Sequence, residues 1–144
     1  MRILLDVGVW LAAVWGRHVH HPVAAAWFAQ QPDGMTLCRV TQMSLLRLLS
    51  NPSVMGTDVT TRSVAWTVVD RLLADDRVHW ADEPAHLEQV WRAISAREDT
   101  SHKLWTDDYL AAFAQAGELS LVTLDRQLAR RYPSVRVETL APPA

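Results

Sequence analysis

Two aspartates each stand where a short apolar segment gives way to a helix-like one. The first segment, "RILLD", ends at Asp6, and the second, "LSLVTLD", ends at Asp125. Short apolar runs of this kind are typical of buried strands. In an open parallel sheet, ligands bind beyond the carboxyl ends of the strands. If the two strands are neighbours, the two carboxylates converge there, although the order of residues alone does not require it.

A third acid, Asp107, begins a helix-like segment that leads into the second strand, and it could join the other two from the side. Each Asp also has a purely structural interpretation, because Asp is a favoured helix N-cap and the helix dipole stabilises acids in a first turn. The three acids together favour a functional role over a purely structural one. Converging carboxylates repel one another unless cations neutralise them, and Mg²⁺ takes oxygen ligands in octahedral geometry. Two such ions about 3.5–4 Å apart suit phosphodiester cleavage by water.

The elements that must position these acids alternate between strands and helices along the chain. Such alternation predicts one α/β domain over residues 1–140, with a mostly parallel sheet covered on both faces, and a short tail at 141–144. Thr41 and Thr106 are predicted to cap helices, and Gly117 to end one. Strands are predicted at residues 2–6, 35–40, 77–81, 119–125 and 135–140, and helices at residues 7–15, 20–31, 41–50, 60–74, 83–96 and 106–117, with a short helix after Asp125.

Composition narrows the function classes. With 14 basic and 16 acidic residues, the formal charge is −2, so a polyanionic partner would need local basic patches or metal ions. The single cysteine, Cys38, excludes an internal disulfide, fits a reducing compartment and is expected in a buried strand. Asp6 interrupts the apolar N-terminal segment, which argues against a secretory signal. No apolar run approaches the roughly 18–20 residues of a membrane span, and a cytoplasmic protein is predicted.

Four segments together resemble a known family. "LLDVGVWLA", "RVTQMSLLRLLSNP", "TDDYLAAFA" and "LVTLDRQLA", in this order and spacing, are similar to those of PIN-domain ribonucleases of the VapC toxin type. The resemblance covers nearly the whole chain. It implies a three-layer α/β/α sandwich, Mg²⁺- or Mn²⁺-dependent endoribonuclease activity, a homodimer, and neutralisation by a VapB-like antitoxin of a toxin–antitoxin module.

The resemblance also implies which residues form the site. The first, third and fourth acids of the family motif match Asp6, Asp107 and Asp125, and these three are the predicted metal ligands. Thr123 matches the hydroxyl residue two positions before the last acid. The second family acid, usually Glu, is matched by Gln42, which is therefore included among the catalytic candidates.

Two departures from the family pattern support an alternative function. At position 42 an amide oxygen can still bind a metal or its water, but Gln42 carries no negative charge and should hold ions more weakly. Its spacing from Leu45 and Leu49 places it on the core side of its helix. Gly8 stands where the family commonly has Asn. The alternative is a PIN-fold binding module for RNA or antitoxin with weakened catalysis.

Further polar residues have weaker functional interpretations. Asp108 is about 100° around the helix from Asp107, so only one of the two is expected to face an ion directly, and the motif favours Asp107. Lys103 and Arg126 flank the acids and are the better candidates for binding RNA phosphates, although the run "RQLARR", which contains Arg126, can equally be a solvated helix face. The histidines at positions 18, 20 and 21 are expected to be solvated in a loop rather than to form a transition-metal site.

Two remaining features have simple interpretations. A metal-dependent phosphatase is disfavoured because neither strand-end Asp begins a D-x-D pair. The tryptophans Trp27, Trp66 and Trp91 lie in amphipathic segments, where core packing is the expected role.

Overall fold

Five parallel strands form the central sheet of the computed structural model, which describes residues 2–141. The strand order is β3-β2-β1-β4-β5, so β1 lies in the middle and pairs with both β2 and β4. All carboxyl ends therefore meet at one edge of the sheet. The strands are β1 (Ile3–Leu5), β2 (Met35–Leu37), β3 (Val78–Trp80), β4 (Ser120–Thr123) and β5 (Val137–Thr139).

Helices cover both faces of this sheet. The connections between parallel strands must cross over, and helices supply those crossovers. A 3-10 turn at Gly56–Asp58 adds to them. The helices are α1 (Val7–Val14), α2 (His21–Gln30), α3 (Arg39–Leu49), α4 (Pro52–Met55), α5 (Arg62–Ala74), α6 (Leu87–Ser95), α7 (Trp105–Ala116) and α8 (Leu128–Arg131).

Alternation along the central strands divides the apolar core in two. Leu4 and Leu121 face a core shared with α6, α7 and α8, whereas Leu5 and Val122 face a core shared with α1, α3 and α5. All four side chains are fully buried. Both faces of β1 and β4 are thus covered, which explains why these strands read as continuous apolar runs. The predicted α/β/α sandwich with a parallel sheet is confirmed.

Several predicted boundaries are wrong. Helix α3 begins at Arg39, and Cys38 is a buried residue before that helix rather than part of β2. Thr41 is not a cap, because it lies inside α3, where its hydroxyl contacts the Cys38 thiol at 3.3 Å. Thr106 likewise lies inside α7, which has no side-chain cap. Gly117 does follow the last residue of α7, as predicted.

The other differences concern short segments. The predicted helix over residues 83–96 begins only at Leu87, because His86 adopts a positive φ of 66° that interrupts a right-handed helix. Residues 52–58 form α4 and the 3-10 turn, which the sequence did not indicate. The predicted strand 119–125 ends at Thr123, so Asp125 lies two residues beyond it.

The tryptophan prediction holds for two residues of three. Trp27 and Trp91 pack against the two cores, but Trp66 on α5 is 49% exposed. Among residues 2–141, no helix is both long enough and apolar enough to cross a membrane.

Candidate active site

The pairing of β1 with β4 brings Asp6 into the site. Leu5 is in register with Val122, and the backbone N–H of Asp6 donates to the Val122 carbonyl over 2.9 Å. The chain then turns into α1, and Asp6 Oδ1 accepts from the Val7 N–H at 2.8 Å as the helix N-cap. Asp6 is thus both a helix cap and a carboxylate at the carboxyl end of the central strand. Its other oxygen, Oδ2, remains to interact across the sheet.

Thr123 connects Asp6 to Asp125. Its side chain is fully buried at the end of β4, and its hydroxyl donates to Asp6 Oδ2 at 3.0 Å. The same hydroxyl oxygen accepts from the Asp125 backbone N–H, also at 3.0 Å. A hydroxyl can donate once and accept at the same time, so one side chain determines the position of both acidic residues.

Asp125 is not the cap of the next helix. Helix α8 begins at Leu128 with Gln127 as the preceding residue, and no side chain caps it. Asp125 Oδ1 accepts from the Gln127 N–H at 2.9 Å, which closes an Asx-type turn between β4 and α8. The residue is exposed, so its carboxylate faces the solvent at the carboxyl edge of the sheet.

Asp107 approaches the same edge from the first turn of α7. Its Oδ2 accepts from Arg131 Nη1 at 3.2 Å, and its side chain is 29% exposed. Burial and the negative charges of Asp6 and Asp125 together raise the pKa of Asp107 to about 6, against the opposing effect of Arg131. The three carboxylates therefore interact electrostatically, although they belong to three segments far apart in the sequence.

Asp6 responds to the same surroundings. Burial raises its pKa, the charge of Asp125 contributes in the same direction, and the hydrogen bonds from Thr123 and the Val7 N–H oppose the rise. The site thus concentrates negative charge in a partly desolvated place, an arrangement common at functional sites.

Asp107 and Asp108 have different surroundings, as their angular separation on α7 requires. The phenolic hydroxyl of Tyr132 donates to Asp108 Oδ1. Burial raises the pKa of Tyr132, and this hydrogen bond raises it further. Asp108 therefore ties α7 to the segment after α8.

Gln42 is buried in α3 near the carboxyl end of β2. It is 6% exposed on the same helix face as Leu45 and Leu49, as its spacing predicted. Its Oε1 accepts from Arg39 Nη1 at 2.6 Å. The Arg39 guanidinium in turn lies over the Trp80 ring, 4.6 Å from the ring centroid.

The remaining candidates lie at the surface or away from the acids. Lys103 and Arg126 are exposed, each adjacent in sequence to its acidic segment. His21 Nδ1 contacts the Ala12 carbonyl at 2.7 Å, and His18 Nδ1 accepts from the His20 N–H at 3.0 Å. The histidines thus stabilise the turn between α1 and α2.

Two arginines at the site were not singled out from the sequence. Arg131 belongs to the run "RQLARR", where a solvated helix face was an equal alternative, and Arg39 lay in a segment predicted as strand. The signal for Arg39 was present in its spacing. It precedes Gln42 by three positions, which places both on one helix face once α3 is known to start at Arg39.

The donor set has the chemistry of a hard-cation site. Asp6, Asp107 and Asp125 offer only oxygen atoms, and their mutual repulsion would be relieved by a cation. Each carboxylate is held by a different protein donor, however, and within residues 2–141 no three His, Cys, Asp or Glu side chains are grouped closely enough to hold an ion. Coordination of one ion by all three would therefore require their side chains to move closer together.

Fold and site together define a class: a parallel α/β sandwich that collects carboxylates at the carboxyl ends of its two central strands. The PIN domain family model matches residues 3–132. The chain is 40% identical to Ribonuclease VapC41 of Mycobacterium tuberculosis H37Rv, over 96% of this chain and 99% of that protein. It is 31% identical to Ribonuclease VapC29 of the same organism, over 95% and 96% of the two chains. The chain belongs to the PIN-domain family, in its VapC group.

Solved structures agree with this fold. VapBC2 from Rickettsia felis, bound to a promoter DNA fragment, superposes with a TM-score of 0.69 over 98% of this chain and 100% of that chain, at 14% identity. VapBC-1 from nontypeable Haemophilus influenzae gives a TM-score of 0.67 over 96% and 98%, at 12% identity. At these identities the likeness concerns the fold alone.

Proposed function

We propose that this chain is a Mg²⁺- or Mn²⁺-dependent endoribonuclease and the toxin of a VapBC-type toxin–antitoxin module. The observation that carries the proposal is the hydrogen-bonded link from Asp6 through Thr123 to Asp125, on neighbouring strands, with Asp107 in electrostatic contact. The curated relatives named ribonuclease support the substrate class.

Asp6, Asp107 and Asp125 would hold the ions. A bound divalent ion would supply an activated water and neutralise charge on the phosphodiester as it is cleaved. The protein's own contribution is orientation. Thr123 directs Asp6 Oδ2, the Gln127 N–H directs Asp125, and the Arg131 guanidinium holds Oδ2 of Asp107. The proposed products are a 5′-phosphate and a 3′-hydroxyl.

The proposed partners follow from membership of the VapC group. The structures with a similar fold are VapBC proteins, which supports a VapB-like antitoxin as the partner. The proposed location is the cytoplasm. A homodimer is also proposed. Its support is an apolar surface on α3 and α5, where Met43 is 51% exposed and Trp66 is 49% exposed beside the same shallow cavity.

The decisive experiment is cleavage-site mapping on total cellular RNA with purified protein, in Mg²⁺, in Mn²⁺ and in EDTA. Cleavage should require the metal and should be lost in Asp107→Asn. Asp70→Asn is the matched control, because Asp70 is exposed on α5, outside the site. Intact cleavage by Asp107→Asn would refute the assignment of the acids, and the absence of any metal-dependent cleavage by the wild type would refute the activity.

One observation favours the alternative of a binding module with weakened catalysis. The side-chain amide oxygen of Gln42 already accepts from the positively charged Arg39, which makes it a poorer fourth oxygen ligand for a cation. If catalysis is weak for this reason, Gln42→Glu combined with Gly8→Asn should increase cleavage. The second change is sterically open, since nothing lies within 4 Å of a Cβ built at Gly8.

A further inference from the structure

We propose that Arg39 is a substrate-binding residue that holds an RNA backbone phosphate beside the acidic site, and that Gln42 serves to position it. The proposal rests on the proposed RNA substrate. It assigns Gln42 a role different from ion binding, since a side chain that orients an arginine cannot offer the same oxygen lone pair to an ion.

The orientation of the Gln42 amide follows from its partner. A guanidinium can only donate hydrogen bonds, so the amide atom that faces Arg39 is the oxygen, and the distance of 2.6 Å marks a close contact. Gln42 is almost fully buried, which limits its freedom to turn. Its amide therefore acts as a fixed acceptor for one side of the guanidinium.

The Trp80 ring holds the guanidinium from a second direction. The Arg39 Cζ lies 4.6 Å from the ring centroid, within the range of a cation–π contact. The ring is itself anchored, because its Nε1 donates to Asp82 Oδ1 at 3.0 Å. An arginine held by two contacts loses less conformational entropy when it binds a ligand. Arg39 is nevertheless exposed, so its remaining donors are accessible.

Arg39 keeps its full positive charge for an anionic ligand. Its hydrogen-bond partner, Gln42, is neutral, so this contact leaves the positive charge of the guanidinium in place. Two acids, Asp82 and Glu83, line the cavity next to it. Both accept hydrogen bonds from neutral donors, Asp82 from Trp80 and Glu83 from the Tyr109 hydroxyl at 2.8 Å, and keep their charge, so a phosphate would have to bind the side of the guanidinium that faces away from them. A forked guanidinium suits a phosphate, which it can bind through two parallel hydrogen bonds.

The position of Arg39 fits a substrate that also reaches the acids. It follows the carboxyl end of β2, and β2 pairs with β1, whose own carboxyl end carries Asp6. A cavity of about 300 Å³ beside Arg39 is lined by Trp80, at the end of β3, and by Tyr109 of α7. A strand of RNA crossing this edge of the sheet would pass both groups.

The test measures binding separately from cleavage. Fluorescence anisotropy with a labelled single-stranded RNA in EDTA gives the Kd over a series of salt concentrations. Each phosphate contact on a single strand contributes about −0.7 to the slope of log K against log salt. Arg39→Gln should weaken binding about tenfold and make the slope less steep by about that amount. Arg71→Gln is the matched control, the same charge change at an exposed arginine of α5 that lines neither this cavity nor the one beside Trp66.

Two further variants separate positioning from folding. Gln42→Met removes the acceptor without adding a charge, so it should weaken RNA binding by less than Arg39→Gln does and leave the salt slope unchanged. Arg39→Lys keeps the charge, so it should retain the slope while losing part of the affinity. Far-UV circular dichroism establishes that each variant is folded. An unchanged slope in Arg39→Gln, or a loss equalled by Arg71→Gln, would overturn the proposal.

The outcomes also distinguish this proposal from the proposed function. Metal-dependent RNA cleavage by the wild type, with normal binding by Arg39→Gln, would retain the nuclease and reject the role of Arg39. Binding that depends on Arg39, without cleavage in any metal, would support the phosphate contact and reject the nuclease.

Discussion

Replacing Asp107 by Asn should stabilise the folded protein while it removes the proposed activity. Burial and the charges of Asp6 and Asp125 raise the pKa of Asp107 from 3.8 to about 6, so its ionised form is unfavourable in the folded state. Each pKa unit corresponds to about 1.4 kcal/mol. The shift of about two units therefore costs about 3 kcal/mol at neutral pH, an upper bound because the side chain is 29% exposed. Asn has the same shape and no charge, so we expect a gain of roughly 1–3 kcal/mol.

The pH dependence of this gain has a definite sign. The folded protein holds the Asp107 proton more tightly than the unfolded chain does, so stability falls as pH rises from the ordinary Asp range to about 6, and the penalty is complete above that. The advantage of the Asn variant should be full at pH 7.5, about half as large near pH 5, and absent below the ordinary Asp value. Loss of the Arg131 contact offsets little, since exposed ion pairs contribute about 0–1 kcal/mol.

Urea unfolding in EDTA, followed by circular dichroism at pH 7.5 and pH 5, measures the effect. The control is Asp108→Asn, the same change one residue later, where the Tyr132 hydroxyl is the partner and an amide oxygen can still accept from it. Destabilisation by Asp107→Asn at pH 7.5, or a gain that does not shrink at pH 5, would refute the reasoning. With Mg²⁺ in place of EDTA the order should reverse, since an ion bound only by the folded wild type stabilises it.

Three other perturbations test separate parts of the molecule. Thr123→Val should lower the free energy of unfolding by about 1–3 kcal/mol, because it removes a buried donor to Asp6 and a buried acceptor, and it should lower cleavage. Thr123→Ser keeps the hydroxyl and should keep both stability and cleavage. Arg77→Ala should lower the urea midpoint by the equivalent of about 2 kcal/mol, since Arg77 Nη1 bonds the Phe28 carbonyl at 2.9 Å and Nη2 pairs with Asp75 at 2.8 Å, and an unchanged midpoint would contradict this. Trp66→Glu should shift light-scattering mass from dimer to monomer, and an unaltered mass would exclude this surface as the interface.

The sequence predicted the sheet because the central strands are buried on both faces. Residues 3–5 and 120–123 read as short apolar runs, and the alternation that would expose one face is missing. The same reasoning could not show that β1 and β4 lie side by side in the sheet. Residues 2–6 and 119–125 are separated by more than a hundred positions, and only the topology decides which strand lies beside which.

Cap residues were the least predictable feature of the site region. Thr41 and Thr106 have a favoured cap side chain, but each helix starts one or two residues earlier, where the backbone satisfies the geometry without a side-chain cap. The two-residue shift of α3 mattered for function. It placed Arg39 on the first turn, within reach of Gln42, where the predicted strand would have pointed it elsewhere.

The two strand-end aspartates, which the sequence treats alike, have different structural roles. Asp6 is a helix cap and a site residue at once, because one carboxylate oxygen accepts from Val7 and the other from Thr123. Asp125 does not cap a helix. One of its carboxylate oxygens accepts from the Gln127 N–H and closes a turn. A turn of this kind needs an acceptor but not a charge, so Asn would serve as well at position 125. The negative charge of the exposed Asp125 raises the pKa of both Asp6 and Asp107. This is an electrostatic cost that the turn itself does not require. That cost is what an ion-binding role for Asp125 would explain.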